Sequence, residues 1–219
     1  MIVLGLTGSI GMGKTTAAGM LRRLGCPVHD SDAAVHALLG RGGAAVPAVA
    51  AAFPGTVRDG AVDRAALGAR VFGDTEALRR LEAIIHPAVR ASQARFLAAC
   101  ARRGVRIAVL DIPLLFESGA EVRVDAVAVV SAPRQVQRAR VMARPGMTEA
   151  KFRSILARQM PDAEKRRRAD FVVPTGLGRA ATLKALRRIV TILAGRRGRS
   201  WPPPPYRPRH RPRVRPSHA

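Results

Sequence analysis

The sequence has little cysteine, little lysine and no long apolar run, and each shortage narrows what the chain does. Only Cys26 and Cys100 occur, far apart and without metal-ligand spacing, so a disulfide scaffold and a thiolate metal centre are excluded and both thiols read as reduced and structural. No stretch is apolar for the length that spans a bilayer, which excludes a membrane helix. Met1 leads directly into an apolar run with no charged leader segment, so a cytoplasmic protein is expected. There is no internal repeat. What is present in quantity is hydrophobic residues, 47% of 219, enough for one sizeable core.

Charge is the second imbalance. Lysine and arginine together number 38 against 15 acids, for a net charge of +23. Residues 196–219 hold eight arginines, seven prolines and no acid, so the tail carries +8 and the other 195 residues about +15. Such a segment buries too little apolar surface to offset the entropy of ordering it, and a disordered Arg/Pro-rich tail is expected from about Gly195. A basic tail can hold nucleic acid through phosphate contacts. Arginine outnumbers lysine throughout the chain, however, so the bias is not a tail signature, and a solvated appendage without a nucleic-acid partner is preferred. The surplus in the body suits polyphosphate ligands.

The most informative segment is Gly8-Ser9-Ile10-Gly11-Met12-Gly13-Lys14-Thr15, which completes the pattern G-x-x-x-x-G-K-[ST] directly after the apolar run Ile2–Leu6. Strand before and helix after are the context in which this pattern is a phosphate loop rather than a chance Gly-rich turn. Backbone N–H groups of Gly11, Met12, Gly13, Lys14, Thr15 and Thr16 are placed to cradle phosphates at a helix N-terminus. Lys14 reaches the β/γ-phosphates and the Thr15 hydroxyl is a Mg²⁺ ligand, so ATP and Mg²⁺ are the expected cofactors.

The remaining chain alternates strand and helix, which predicts an α/β fold with a parallel sheet covered on both faces. Strands are expected at Ile2–Leu6, Pro27–His29, Arg106–Asp111, Ala126–Val130 and Phe171–Val173. Helices are expected near 13–24, 32–39, 63–71, 75–103, 133–143, 148–159 and 179–194, with Pro87 kinking or dividing the long one. Residues 40–104 then form a helical insertion between core strands. Two acids sit where ligands of such a sheet bind. Asp32, in Asp30-Ser31-Asp32, either accepts a proton from an attacking hydroxyl or caps the next helix. Asp111, ending an apolar strand before Ile112-Pro113-Leu114-Leu115-Phe116-Glu117, either holds Mg²⁺ or forms a turn.

Taken in order across residues 2–176, these segments resemble the dephospho-coenzyme A kinase family. The resemblance is carried by Gly5 to Thr15, Asp30-Ser31-Asp32, Leu81-Glu82-Ala83-Ile84-Ile85-His86-Pro87 and Asp111 to Glu117. It continues through Gln137 to Arg144, Gln159, and Arg168-Ala169-Asp170-Phe171-Val172-Val173. It implies a phosphate-loop kinase of residues 1–195 with a five-stranded parallel sheet, a helical acceptor-binding insertion at about 40–104 and a small lid at about 133–147. The implied reaction moves the ATP γ-phosphoryl group to the ribose 3′-hydroxyl of dephospho-CoA. On that pattern Asp32, Lys14 and Arg140 are catalytic, and Asp32, His86, Pro87 and Leu114 meet the acceptor. By themselves Arg140 and Arg144 also read as an exposed basic helix face, and His86 as an ordinary helix histidine. Met12 and Pro174-Thr175-Gly176 depart from the usual family residues; Met12 offers its backbone N–H, while Pro174 removes a donor near the adenine position. Two other classes are another small-molecule phosphate-loop kinase and a nucleic-acid-associated ATPase. The oligomeric state is not legible.

Overall fold

The computed structural model describes residues 1–202. Its elements run β1 (Ile2–Thr7), α1 (Lys14–Arg23), β2 (Val28–Asp30), α2 (Ser31–Leu39), α3 (Val46–Ala52), β3 (Val57–Arg58), β4 (Ala61–Val62), α4 (Arg64–Val71) and α5 (Thr75–Arg102). Then come β5 (Ile107–Asp111), a 3₁₀ turn (Ala120–Arg123), β6 (Ala126–Ser131), α6 (Arg134–Met142), α7 (Glu149–Ala157), α8 (Asp162–Arg168), β7 (Phe171–Pro174) and α9 (Arg179–Ala194). The five expected strands form one sheet in the order β2-β5-β1-β6-β7, every pair parallel. Apolar, unalternating strands such as β1 and β5 belong in a sheet buried on both faces. One face packs against α1 and α9 through Leu21, Leu186, Ile189 and Leu193, and the other against Leu97 and Cys100 of α5 with Leu115 and Phe116. No helix among the described residues is long and apolar enough to cross a membrane.

Between β2 and β5 the insertion makes its own small core from Leu39, Val49, Phe53, Leu67, Ala77 and Ile85. It is not wholly helical, because β3 and β4 pair as an antiparallel hairpin turned by Asp59 and Gly60, both at positive φ. Helix α5 is a single 28-residue element with Pro87 inside it, so the proline does not divide it. Proline deprives the carbonyl four residues back of its donor. That residue is Ala83, and both Ala83 and Pro87 are exposed, so the break falls on the solvent side of the helix while Ile85 and Leu97 stay buried. The beam thereby joins the insertion core to the sheet.

The described residues after Gly195 are held to the body of the protein. Asp125, just before β6, accepts from the backbone N–H of Val3 at 2.7 Å, of Arg199 at 2.6 Å and of Ser200 at 2.8 Å. Trp201 packs against the cluster that contains Leu97 and Phe116. Three donors on one carboxylate anchor residues through about 201 to the body, an apolar and hydrogen-bonding combination hidden inside an Arg/Pro-rich stretch. The rest of the expected disordered tail, 203–219, lies outside the described residues.

Candidate active site

All the chemistry gathers at the carboxyl edge of the sheet. The phosphate loop leaves the central strand β1, Asp30-Ser31-Asp32 follows β2, and Asp111 closes β5 beside both, since Leu6 and Asp30 each pair with Asp111 in register. Gly11 and Gly13 take φ of 75° and 86°, conformations that side chains strain. A Cβ on Gly11 would also stand 2.5 Å from Val141 Cγ2 of α6. Gly13 precedes α1 and no side chain caps that helix, so its first-turn N–H groups lack intrahelical partners and point to an anion. The cleft over the loop is about 550 Å³ and is lined by residues 8–16 together with Asp32, Arg140, Arg144, Gln159 and Thr175.

Lys14 Nζ lies 2.6 Å from Asp111 Oδ1. Burial pushes the Asp111 carboxyl above the usual carboxylate range; Lys14 counters this only in part, and Asp30 and Asp32 add to the rise. Asp111 and the Thr15 hydroxyl are hard-oxygen donors of the kind that suit Mg²⁺ in the presence of phosphates and water.

Geometry removes the capping reading of Asp32. Asp30, not Asp32, caps α2, its carboxylate accepting the Ala33 N–H at 3.0 Å. Asp32 is exposed in the first turn and lines the nucleotide cleft. It also lines a second cavity, of about 580 Å³, which the insertion forms with the loop after β5. Ile85, His86, Val89 and Leu114 line this cavity; Pro87, on the exposed side of α5, does not.

Several contacts at the site join residues that the sequence offers only as members of separate segments. The Ile10 peptide of the loop is held on both sides, its N–H donating to Gln159 Oε1 at 3.0 Å and its C=O accepting from Gln137 Nε2 at 2.8 Å. Arg140 donates to the Thr175 carbonyl at 2.6 Å, and the Thr175 hydroxyl donates to the Met12 carbonyl at 2.7 Å. Thr175 thus ties Arg140 to the loop, and Pro174 costs no ladder bond because it ends an edge strand. Met12 buries its side chain, and its sulfur accepts the Ala132 N–H at 3.1 Å. Glu117 pairs with the fully buried Lys165 at 2.8 Å and accepts the Met160 N–H at 2.8 Å. Burial raises the Glu117 carboxyl, but these bonds outweigh it and hold the carboxyl below its usual range.

A central phosphate loop in a parallel sheet, with a second cavity meeting its cleft at one carboxylate, defines a phosphate-loop kinase. The dephospho-CoA kinase family model matches residues 2–177, and the chain belongs to that family. The dephospho-CoA kinase of Mesorhizobium japonicum is 62% identical over 198 residues, covering 90% of this chain and all of the relative. That of Paramagnetospirillum magneticum is 63% identical over 197 residues, covering 90% and 93%. A solved protein of Thermus thermophilus superposes with a TM-score of 0.76 at 37% identity, over 87% of this chain and 96% of its own.

Proposed function

We propose that the chain transfers the γ-phosphoryl group of ATP to the ribose 3′-hydroxyl of dephospho-CoA, giving coenzyme A and ADP in the last step of coenzyme A synthesis. The observation that carries this reading is the position of Asp32, which with Pro113 belongs to the walls of both cavities. A nucleotide in one cavity and an alcohol in the other meet at that carboxylate.

The loop N–H groups and α1 bind the phosphates of ATP. Lys14 leaves Asp111 for the β/γ-phosphates, which carry more charge. Arg140, tethered to Thr175 at the cleft wall, stabilises charge on the phosphoryl group in transit. Asp32 orients the acceptor hydroxyl and takes its proton as the new P–O bond forms and the bond to ADP breaks. Bound Mg²⁺ would neutralise the β- and γ-oxygens, with Thr15 and Asp111 as the donors that fit it. His86 and Leu114 contact the acceptor from the insertion side, whereas Pro87 acts only through the helix it sits in. Cys26 and Cys100 are buried thiols with raised pKa, a pairless set that suits the reducing cytoplasm.

The test is ADP release coupled to a dehydrogenase, with MgATP and dephospho-CoA, and mass spectrometry of the product. Coenzyme A formed in step with ADP is expected. Equal or faster turnover of a nucleoside monophosphate, or ATP hydrolysis driven by polynucleotide and abolished by high salt, overturns the proposal.

A further inference from the structure

The acceptor cavity holds a pair of cations that the catalytic scheme leaves unused. Arg90, one turn after His86 on α5, and Arg123, at the end of the 3₁₀ turn, both line it. Neither has a carboxylate within 4 Å among the described residues. Arg123 is held instead by a neutral group: its Nη1 donates to Gln93 Oε1 at 3.2 Å. Gln93 is itself buried, and its Nε2 donates to Ser31 Oγ at 3.1 Å, next to Asp32. Arg90 Nε donates to the His86 carbonyl at 3.3 Å. The acids of the same cavity do not serve the pair. Glu117 is engaged by Lys165 and the Met160 N–H, Asp32 lies toward the nucleotide cleft, and Glu82 is two turns before Arg90 on α5.

Two guanidinium groups on the lining of one cavity, each bonded to a neutral partner, repel each other, and an anion between them relieves that repulsion. Burial and the charge of Arg90 accordingly lower the Arg123 pKa. A guanidinium fork matches phosphate oxygens bidentately, and two of them suit two linked phosphates. We propose that Arg123, with Arg90, forms a diphosphate subsite that receives the 5′-diphosphate bridge of the acceptor and so selects a diphosphate-bearing nucleoside over a bare one. This rests on the acceptor reading given above and adds the residues that recognise it. Through Gln93 and Ser31 the same arginine is connected to the start of α2, so engaging the diphosphate fixes the distance from that group to Asp32.

The test is calorimetric binding of dephospho-CoA, adenosine and inorganic diphosphate to the full chain and to Arg123→Gln, Arg123→Lys and Arg90→Gln. MgATP titrations check the other cleft, and circular dichroism checks folding. The expected result is roughly a tenfold or greater rise in Kd for dephospho-CoA in Arg123→Gln, the scale of one lost charge-assisted hydrogen bond. A smaller rise is expected in Arg90→Gln and partial recovery in Arg123→Lys, with adenosine and MgATP affinity within twofold of the parent throughout. Inorganic diphosphate should displace dephospho-CoA from the parent and fail to do so from Arg123→Gln. Unchanged dephospho-CoA affinity in both glutamine variants overturns the subsite, as does a parallel loss for adenosine, which would make Arg123 a strut for Gln93. If Arg123→Gln does not fold, Arg90→Gln alone decides. Tight dephospho-CoA binding without turnover would instead count against the proposed reaction and leave the subsite standing.

Discussion

The two cavities that meet at Asp32 are built in opposite ways. The nucleotide cleft has one unbroken segment, residues 8–16, as its floor, and the proposed reaction uses that segment mainly through its backbone. The acceptor cavity is assembled from α2, α5, the loop after β5 and the 3₁₀ turn, with side chains forming its wall. A site of backbone amides tolerates many side-chain changes but no distortion of its glycines. A site of distant side chains depends on the packing that brings them together, here on α5 as the shared beam.

Lys14 and Thr15 are the exceptions that would break this contrast, being the two side chains of the loop to which the proposed reaction gives a chemical duty. Lys14→Ala is expected to lower kcat by ~10²-fold or more. It also strips the paired cation from the buried Asp111 carboxylate, so we expect a loss of about 3 kcal/mol at neutral pH, read by chemical denaturation. The sign follows from Asp111. Its folded pKa is raised, so its charged form weighs against folding as pH rises above the unfolded value near 3.9. Removing Lys14 deepens that cost, and the stability gap to the parent should close as pH falls and Asp111 protonates. Adding Asp111→Asn should restore stability without restoring turnover; restored turnover would show that Lys14 serves only Asp111.

Asp32→Asn sharpens the comparison at the junction itself. We expect kcat reduced by ~10²-fold and stability within about 0.5 kcal/mol of the parent, because Asp32 caps nothing. Asp30→Ala gives the mirror outcome, a loss of ~1 kcal/mol from the α2 cap with a much smaller effect on kcat. Both are read from steady-state kinetics beside thermal melts, and a swapped pattern would exchange the roles of the two acids.

On the acceptor side, Leu114→Ala should raise the KM for dephospho-CoA by roughly three- to tenfold, the scale of a few buried methylenes, leaving the KM for ATP unchanged. In the loop, Met12→Leu should change either KM by less than about twofold, since only its backbone faces phosphate and the lost sulfur contact is weak. A large effect of Met12→Leu beside a small one of Leu114→Ala would reverse the assignment of backbone and side-chain sites.

The smallest effect on turnover should come from truncation. Ending the chain after Gly195 removes two of the three amides on Asp125 and the Trp201 contact, for a loss of roughly 2 kcal/mol, with kcat within about twofold. Burial raises the Asp125 carboxyl, but the three N–H bonds outweigh it and the folded pKa is depressed. That stabilisation is present above the unfolded value near 3.9 and fades as pH falls through the folded one. The deficit of the truncated chain should therefore shrink in acid.

The sheet and the phosphate loop were legible because both are written in consecutive residues: five apolar runs of strand length, and glycines at fixed offsets before Lys14. The structure departs from the reading where function or form arises between segments. Helix α2 starts one residue earlier than its pattern suggests, which hands the cap to Asp30 and frees Asp32. The segment holding α3 and the hairpin is rich in alanine and glycine and shows no apolar period, although Asp59-Gly60 was a readable turn signal. Helix α8 is short and highly charged, so nothing periodic announced it. Arg123 offers no local clue at all, since only the tertiary fold brings it to Gln93.

The central position of β1 has a consequence for how the chain comes off the ribosome. Its sheet neighbours are β5 and β6, whose residues follow it by more than a hundred positions. At synthesis rates of about 5–20 residues per second, Ile2, Val3, Leu4 and Leu6 wait on the order of ten seconds for any strand to pair with. A nascent β1 is thus a bare apolar edge for that interval, and the chain's exposure to misassociation is set by translation speed before the phosphate loop has a sheet to stand on.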